Sequence, residues 1–229
     1  MANQLPYDAS MKPTELERNI SEVDRRIRAA ELASGRATGA VSLLAVSKTK
    51  PSELVRQAHG FGLSTFGENY AQEMAEKAAA LADLPLSWHF IGPIQSNKTA
   101  LIAEGSDWVH SIDRLKVARR LSEQRPDGKA PLNVLVQINT SNEDTKSGIR
   151  PNAALELMAA INELPRLRLR GLMTIPAATT NQTAQREPFR QLRELMARLS
   201  DSLPQLDTLS MGMSGDLEAA VSEGSNIVR

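Results

Sequence analysis

Four places in this sequence set side chains able to do chemistry at the end of an apolar stretch. Lys48 closes the run VSLLAVSK at 41–48. Its amine can serve as a surface cation, a phosphate contact or a Schiff-base former. Asn69 stands in FGENY at 66–70; it can hydrogen-bond a ligand's hydroxyl or carbonyl, or cap the helix that follows. Glu68 before it reads as an acid favoured by that helix's dipole. The stretch LSMGMSGDL at 209–217 places Gly212, Ser214 and Gly215 where a strand gives way to a helix. Backbone N–H groups in such a loop can face an anion, with the Ser214 hydroxyl added or acting as a helix cap. Arg229 ends a last short apolar segment, as a solvated cation or as a donor to a ring nitrogen.

The histidines carry less. His59 falls near a helix end, and His89 and His110 lie inside strand-like runs, with His89 read as a structural residue. None is spaced as a metal ligand and no carboxylate cluster accompanies them, so no metal site is expected. Lys146, Ser147 and Gly148 form a loop able to reach the same end of the fold as Lys48.

These positions share a geometry only if the elements beneath them do. An amphipathic helix is expected over 14–33, with Leu16, Ile20, Val23, Ile27 and Ala30 on one stripe, Pro13 and Thr14 at its start and Gly35 past its end. Strands are expected at 41–48, 64–69, 88–92, 108–112, 133–139, 167–175, 208–211 and 226–229. Helices fall between them at 53–58, 70–82, 96–104, 114–124, 151–164, 186–203 and 214–223. Strand alternating with helix at this spacing makes a parallel sheet, and eight such strands close a (β/α)8 barrel. The expected architecture is a single α/β domain over 1–229: a TIM barrel with an extra N-terminal helix, a loose terminus over 1–12 and a last strand cut short. Ligands of such barrels bind beyond the carboxyl ends of the strands, which is where Lys48, Asn69, Ser214 and Arg229 would meet.

Composition narrows the function. The 229 residues carry no net charge and are 41% hydrophobic, which predicts a core and gives no reason to expect nucleic acid or an anionic membrane as partner. The absence of cysteine removes disulfides, thiolate metal sites and thiol nucleophiles. With no signal-peptide pattern and no apolar run near the ~18 residues of a membrane span, a cytoplasmic protein is expected. No segment reads as an interface helix, so a monomer is expected.

Taken together, LLAVSKTKP, FGENYAQE, WHFIGPIQSNK, HSIDRL, NVLVQIN, KSGI, RGLMTIP and LSMGMSGDLEAAVSEGSNIVR resemble the pyridoxal phosphate homeostasis protein family, nearly end to end and in order. The resemblance implies the fold-type III barrel, like the N-terminal domain of alanine racemase, with pyridoxal 5'-phosphate held as an internal aldimine on Lys48. It places Ser214 and the backbone around Gly212 and Gly215 on the phosphate, Arg229 against the pyridine nitrogen and Asn69 beside the ring. In the family the chain runs past the position of Arg229 into a glycine-threonine segment on the phosphate and a closing helix. The expectation is therefore either a shortened chain or a weakened anion site.

The resemblance implies a cofactor carrier or buffer without established turnover, exchanging with amino acids and with pyridoxal phosphate-dependent apoenzymes. An arginine on the pyridine nitrogen leaves it an acceptor and weakens the electron sink. Alanine racemase tolerates this with a tyrosine supplied by an added domain; here only Tyr7 and Tyr70 exist, and Tyr70 alone is near the expected mouth. The alternatives are a small fold-type III racemase or decarboxylase, or a Schiff-base aldolase on the same barrel.

Overall fold

In the computed structural model the described residues are 14–141, 147–179 and 181–229. The expected loose terminus with Tyr7, and Lys146, lie outside them. Among the described residues nine parallel strand segments and eight α-helices alternate: α1 (Glu15–Ala33), β1 (Ser42–Leu43), β2 (Ala45–Val46), α2 (Ser52–Gly60), β3 (Thr65–Glu68), α3 (Ala71–Ala80), β4 (Ser87–Phe90), α4 (Thr99–Gly105), β5 (Trp108–Ile112), α5 (Leu115–Gln124), β6 (Leu132–Gln137), α6 (Ala154–Asn162), β7 (Leu167–Met173), α7 (Gln182–Ser200), β8 (Thr208–Ser210), α8 (Leu217–Ser222) and β9 (Ile227–Val228). The sheet order runs β1-β9-β8-β7-β6-β5-β4-β3-β2. Because β1 and β2 are halves of one extended segment parted at Leu44, the two ends of that order meet and the barrel closes. Ser42 and Leu43 pair with Ile227 and Val228, while Ala45 and Val46 pair with Phe66 and Gly67. The last strand is short, yet it completes the ring.

Strand alternation assigns the two faces. Leu44 packs with Ile91 and Ile227 inside the barrel. Phe66, Trp88, Phe90, Val109, Val134 and Leu172 face outward into the main core under the helices. A Cβ on Gly67 would lie 3.3 Å from Leu44 and Ile91, so this glycine leaves room for the inner apolar wall. Gly92 is needed for a tighter approach: a Cβ there would penetrate the backbone of Asn69.

The first helix forms as its sequence predicts. Thr14 Oγ1 accepts from the Glu17 N–H at 3.2 Å, Glu15 and Glu17 occupy the first turn, and Ile27 and Ala30 are buried against Val41, Leu217 and Val221. It also grips the barrel through charge. Glu31, 1% exposed, accepts the N–H groups of Gly39 (3.0 Å) and Val41 (2.7 Å) and pairs with Arg28. That sets where the chain enters β1. Among the boundaries that differ from expectation are two helix starts. α7 begins four residues early at Gln182, with the Asn181 side chain accepting from the Ala184 N–H. α8 begins at Leu217 rather than Ser214, because residues 214–216 form a turn closed by the Asp216 side chain.

Gly92→Ala is expected to cost about 3 kcal/mol, since backbone must move to admit the methyl group. A urea midpoint within about 0.5 kcal/mol of the parent would show that this crossing is looser than described.

Candidate functional site

Lys48 follows β2 in alternation with Leu44 and Val46, whose side chains face the barrel axis, and it is exposed at the mouth. Its ammonium makes no hydrogen bond or ion pair among the described residues. The backbone on either side of it is held firmly. Ser47 Oγ donates to Glu68 Oε1 at 2.6 Å, and the Ser47 carbonyl accepts from Lys77 Nζ at 2.7 Å. The Thr49 N–H donates to Glu73 Oε1 at 2.6 Å, which fixes a residue with φ +63°. Lys77 spends its remaining donors on Glu68 and Glu73, both at 2.7 Å. Glu68 is therefore no helix-start acid: it is fully buried, the centre of a clamp on the strand end that bears Lys48. Burial pushes its carboxyl above the usual range, with Lys77 and Ser47 opposing, and its Oε2 has no partner.

The anion loop sits across the mouth. Gly212 has φ +98°, and a Cβ there would stand 2.5 Å from that of Ala220. The Met213 N–H donates to Asp216 Oδ1 at 2.6 Å. The N–H groups of Ser214 and Gly215, and the Ser214 hydroxyl, have no partner among the described residues, and both residues are exposed. Ser214 thus belongs to the loop and does not cap α8. Its carbonyl accepts from Arg26 Nη2 at 2.9 Å, and Arg26 also pairs with Glu218 at 2.7 Å, so α1 holds the loop from behind.

Arg229 closes the arrangement. Its N–H donates to the Gly212 carbonyl at 3.0 Å, its Nη1 to Ser210 Oγ at 2.9 Å, and its Nη2 to the Thr174 carbonyl at 2.9 Å. No carboxylate pairs with it among the described residues. Burial lowers its guanidinium to about 10, against a small opposing pull from Asp216. It remains a cation at neutral pH.

Ser214 and Arg229 line one cavity of about 340 Å³ that runs between α1, β2 and α2, with Val46, Ser47 and Lys50 along its wall. Lys48 does not line it. Asn69 borders a separate cleft of about 260 Å³ together with Tyr70, Gln72, Gln95 and Lys98. Asn69 does not cap α3: Tyr70 holds that position, and the Asn69 Oδ1 is buried without a partner. Tyr70 is 58% exposed and so does not pack on the barrel. Among the described residues there is no cluster of His, Asp or Glu that could hold a metal, and no helix is long and apolar enough to cross a membrane.

Behind Arg229 lie two strand histidines whose contact with each other the sequence did not show. His89 and His110, 4% and 0% exposed, stand 2.9 Å apart inside the barrel, and His110 Nδ1 is 2.9 Å from Ser210 Oγ. The floor beneath is sealed by Trp108, stacked on His89 and covered by Arg170, which pairs with Asp207. Burial lowers His89 to about 3 and holds His110 well below the ordinary value as well.

Residues 15–229 match the family described as alanine racemase, N-terminal domain. The chain is 59% identical over 211 residues to the pyridoxal phosphate homeostasis protein of Pseudomonas aeruginosa, covering 92% of this chain and 90% of that one. To the protein of the same name in Escherichia coli it is 50% identical over 214 residues, with 92% of each covered. Among solved structures, PipY of Synechococcus elongatus with pyridoxal phosphate bound superposes with a TM-score of 0.76 at 35% identity, over 89% of this chain and 96% of that one. Alanine racemase of Corynebacterium glutamicum shares the fold, with a TM-score of 0.67 at 15% identity; the superposition spans 91% of this chain and 58% of the racemase.

Two outcomes follow. Lys77→Met leaves Glu68 buried without its counter-charge and should lower stability by about 3 kcal/mol, measured by urea unfolding. The histidines give a pH signature. Each has a folded value below its unfolded value near 6.5, so the unfolded chain takes up protons that the folded protein refuses, and stability falls as pH drops below 6.5. The loss from His89 alone reaches about 2 kcal/mol by pH 5, His110 adds to it in the same direction, and Glu68, shifted the other way, offsets part of it. Unfolding at pH 7.5, 6 and 5 should show this slope, and His89→Gln/His110→Gln should flatten it.

Proposed function

The chain belongs to the alanine racemase N-terminal domain family, and from that premise we propose that it binds pyridoxal 5'-phosphate covalently through Lys48 and serves the homeostasis of that cofactor. The observation that carries this is the pair of cations at one mouth. Among the described residues Lys48 has no hydrogen-bond or ion-pair partner, and Arg229 is anchored by carbonyl and hydroxyl oxygens with no carboxylate to neutralise it. The unpartnered donors of Ser214 and Gly215 supply the third requirement, a cradle for a phosphate dianion. When bound, pyridoxal phosphate supplies an aldehyde that condenses with an amine and a ring that draws electrons from it.

Each residue has a distinct task. Lys48 offers its Nζ, on a strand end that the Lys77–Glu68–Glu73 cluster keeps in place. Ser214 and Gly215 would hold the phosphate, on a turn that Gly212 permits by its positive φ. Arg229 would donate a hydrogen bond to the ring nitrogen without giving it a proton, which supports carbanion chemistry weakly. Asn69, one residue past β3, would offer its amide beside the ring. Tyr70 lines the cleft shared with Gln95 and Lys98, apart from the cavity that Ser214 and Arg229 line. That favours a carrier over a racemase or decarboxylase.

The purified protein incubated with pyridoxal phosphate and reduced with borohydride should carry one cofactor mass on the peptide containing Lys48, and Lys48→Ala should carry none. Steady amino-acid turnover by the parent, abolished in Lys48→Ala, would overturn the carrier role. An unlabelled Lys48 would overturn the binding itself.

A further inference from the structure

Arginine can only donate hydrogen bonds, and that one fact orients a line of groups across the barrel. Arg229 Nη1 donates to Ser210 Oγ at 2.9 Å. Ser210 is fully buried, and among the described residues its hydroxyl has one other hydrogen-bond partner, His110 Nδ1 at 2.9 Å. The hydroxyl proton has nowhere else to go, so Ser210 donates to Nδ1, which must be unprotonated. His110 then carries its proton on Nε2 and donates to His89 Nδ1 at 2.9 Å. His89 in turn is protonated on Nε2, facing Ser87 Oγ at 3.3 Å. Every link points the same way, from the cation at the mouth towards the sealed floor.

We propose that Ser210 and His110 are positioning residues for Arg229, and that the guanidinium fixes both buried histidines as neutral Nε2–H tautomers. No carboxylate takes part. The cation is held by dipoles whose acceptor ends all face it: the carbonyls of Thr174 and Ser210 and the Ser210 hydroxyl. A carboxylate in that place would fix the guanidinium equally well, but would cancel its charge towards a ligand. A chain of neutral acceptors fixes it and leaves the charge facing the mouth. Two protonated histidines would oppose it instead, and their burial, with Trp108 stacked on His89, disfavours that state. On the reading that the mouth binds pyridoxal phosphate, this line sets the direction from which Arg229 meets the ring.

The first test needs no cofactor. Long-range proton–nitrogen spectra of 15N-labelled protein at pH 7 should show His89 and His110 protonated on Nε2 alone, with resolved, slowly exchanging Arg229 side-chain signals. Ser210→Ala and His110→Leu should lose those Arg229 signals. His110→Asn keeps an acceptor where Nδ1 stood and should retain them, although it severs the link to His89 as completely as leucine does. Titrated with pyridoxal phosphate, Ser210→Ala and His110→Leu should bind about tenfold more weakly than the parent, and His110→Asn within about twofold. An Nδ1–H tautomer at His110 overturns the proposal. So do folded Ser210→Ala and His110→Leu proteins whose Arg229 signals match the parent. If the parent binds no pyridoxal phosphate, the functional reading fails by itself, and the tautomers and Arg229 signals still decide this one.

Discussion

Closure of the ring depends on residues 42–46 hydrogen-bonding along both edges. A strand shared between β9 on one side and β3 on the other leaves no open edge, so its inner side chains must fill the barrel and its end must emerge at the mouth. Lys48 owes its place to that constraint. The strand cannot slip by one residue without turning Leu44 out of the barrel and Lys48 away from its axis. The cluster of Lys77, Glu68 and Glu73 adds a second lock where the ladder ends, taking up the Ser47 carbonyl and the Thr49 N–H that the sheet leaves over.

The inside of the barrel is divided by chemistry. Leu44, Ile91 and Ile227 make one dry wall, and His89, His110, Ser210 and Arg229 make a polar line through the rest. Buried polar groups are tolerated only when each is satisfied, and this line is satisfied link by link. It ends at a floor where Trp108 stacks on His89 and Arg170, paired with Asp207, lies over the indole. Above this apolar wall and bonded polar line, the mouth holds Lys48, which has no ion pair among the described residues, and Arg229, which has no carboxylate partner among them.

Much of this was legible in the residues. Apolar runs with polar ends located all eight barrel strands, and the glycines around Ser214 marked a loop with spare N–H groups. What escaped had no local signature. Glu68 sits one residue before a helix, where an acid ordinarily reads as a dipole partner; its true partner, Lys77, is a helical lysine indistinguishable by sequence from a solvated one. His89 and His110 looked like isolated strand histidines because their contact depends on β4 and β5 lying side by side, with His89 paired to Trp108 and Phe90 to Val109. Ser210 is a small polar residue in an apolar strand, and only the arrival of Arg229 from β9 gives it a task. The start of α8 was misplaced because Asp216, not Ser214, closes the turn.

The grip of Arg26 on the Ser214 carbonyl and on Glu218 makes the outer helix part of the loop's mechanics. A loop tethered from behind has surrendered some of its conformational freedom before any anion reaches it, which lowers the entropy still to be lost on capture. Reciprocity then applies: whatever tightens the loop tightens the tether. The rigidity conferred by a guest at the mouth is thereby shared with α1, a helix that makes no strand of the barrel, and its melting becomes a remote reporter of occupancy.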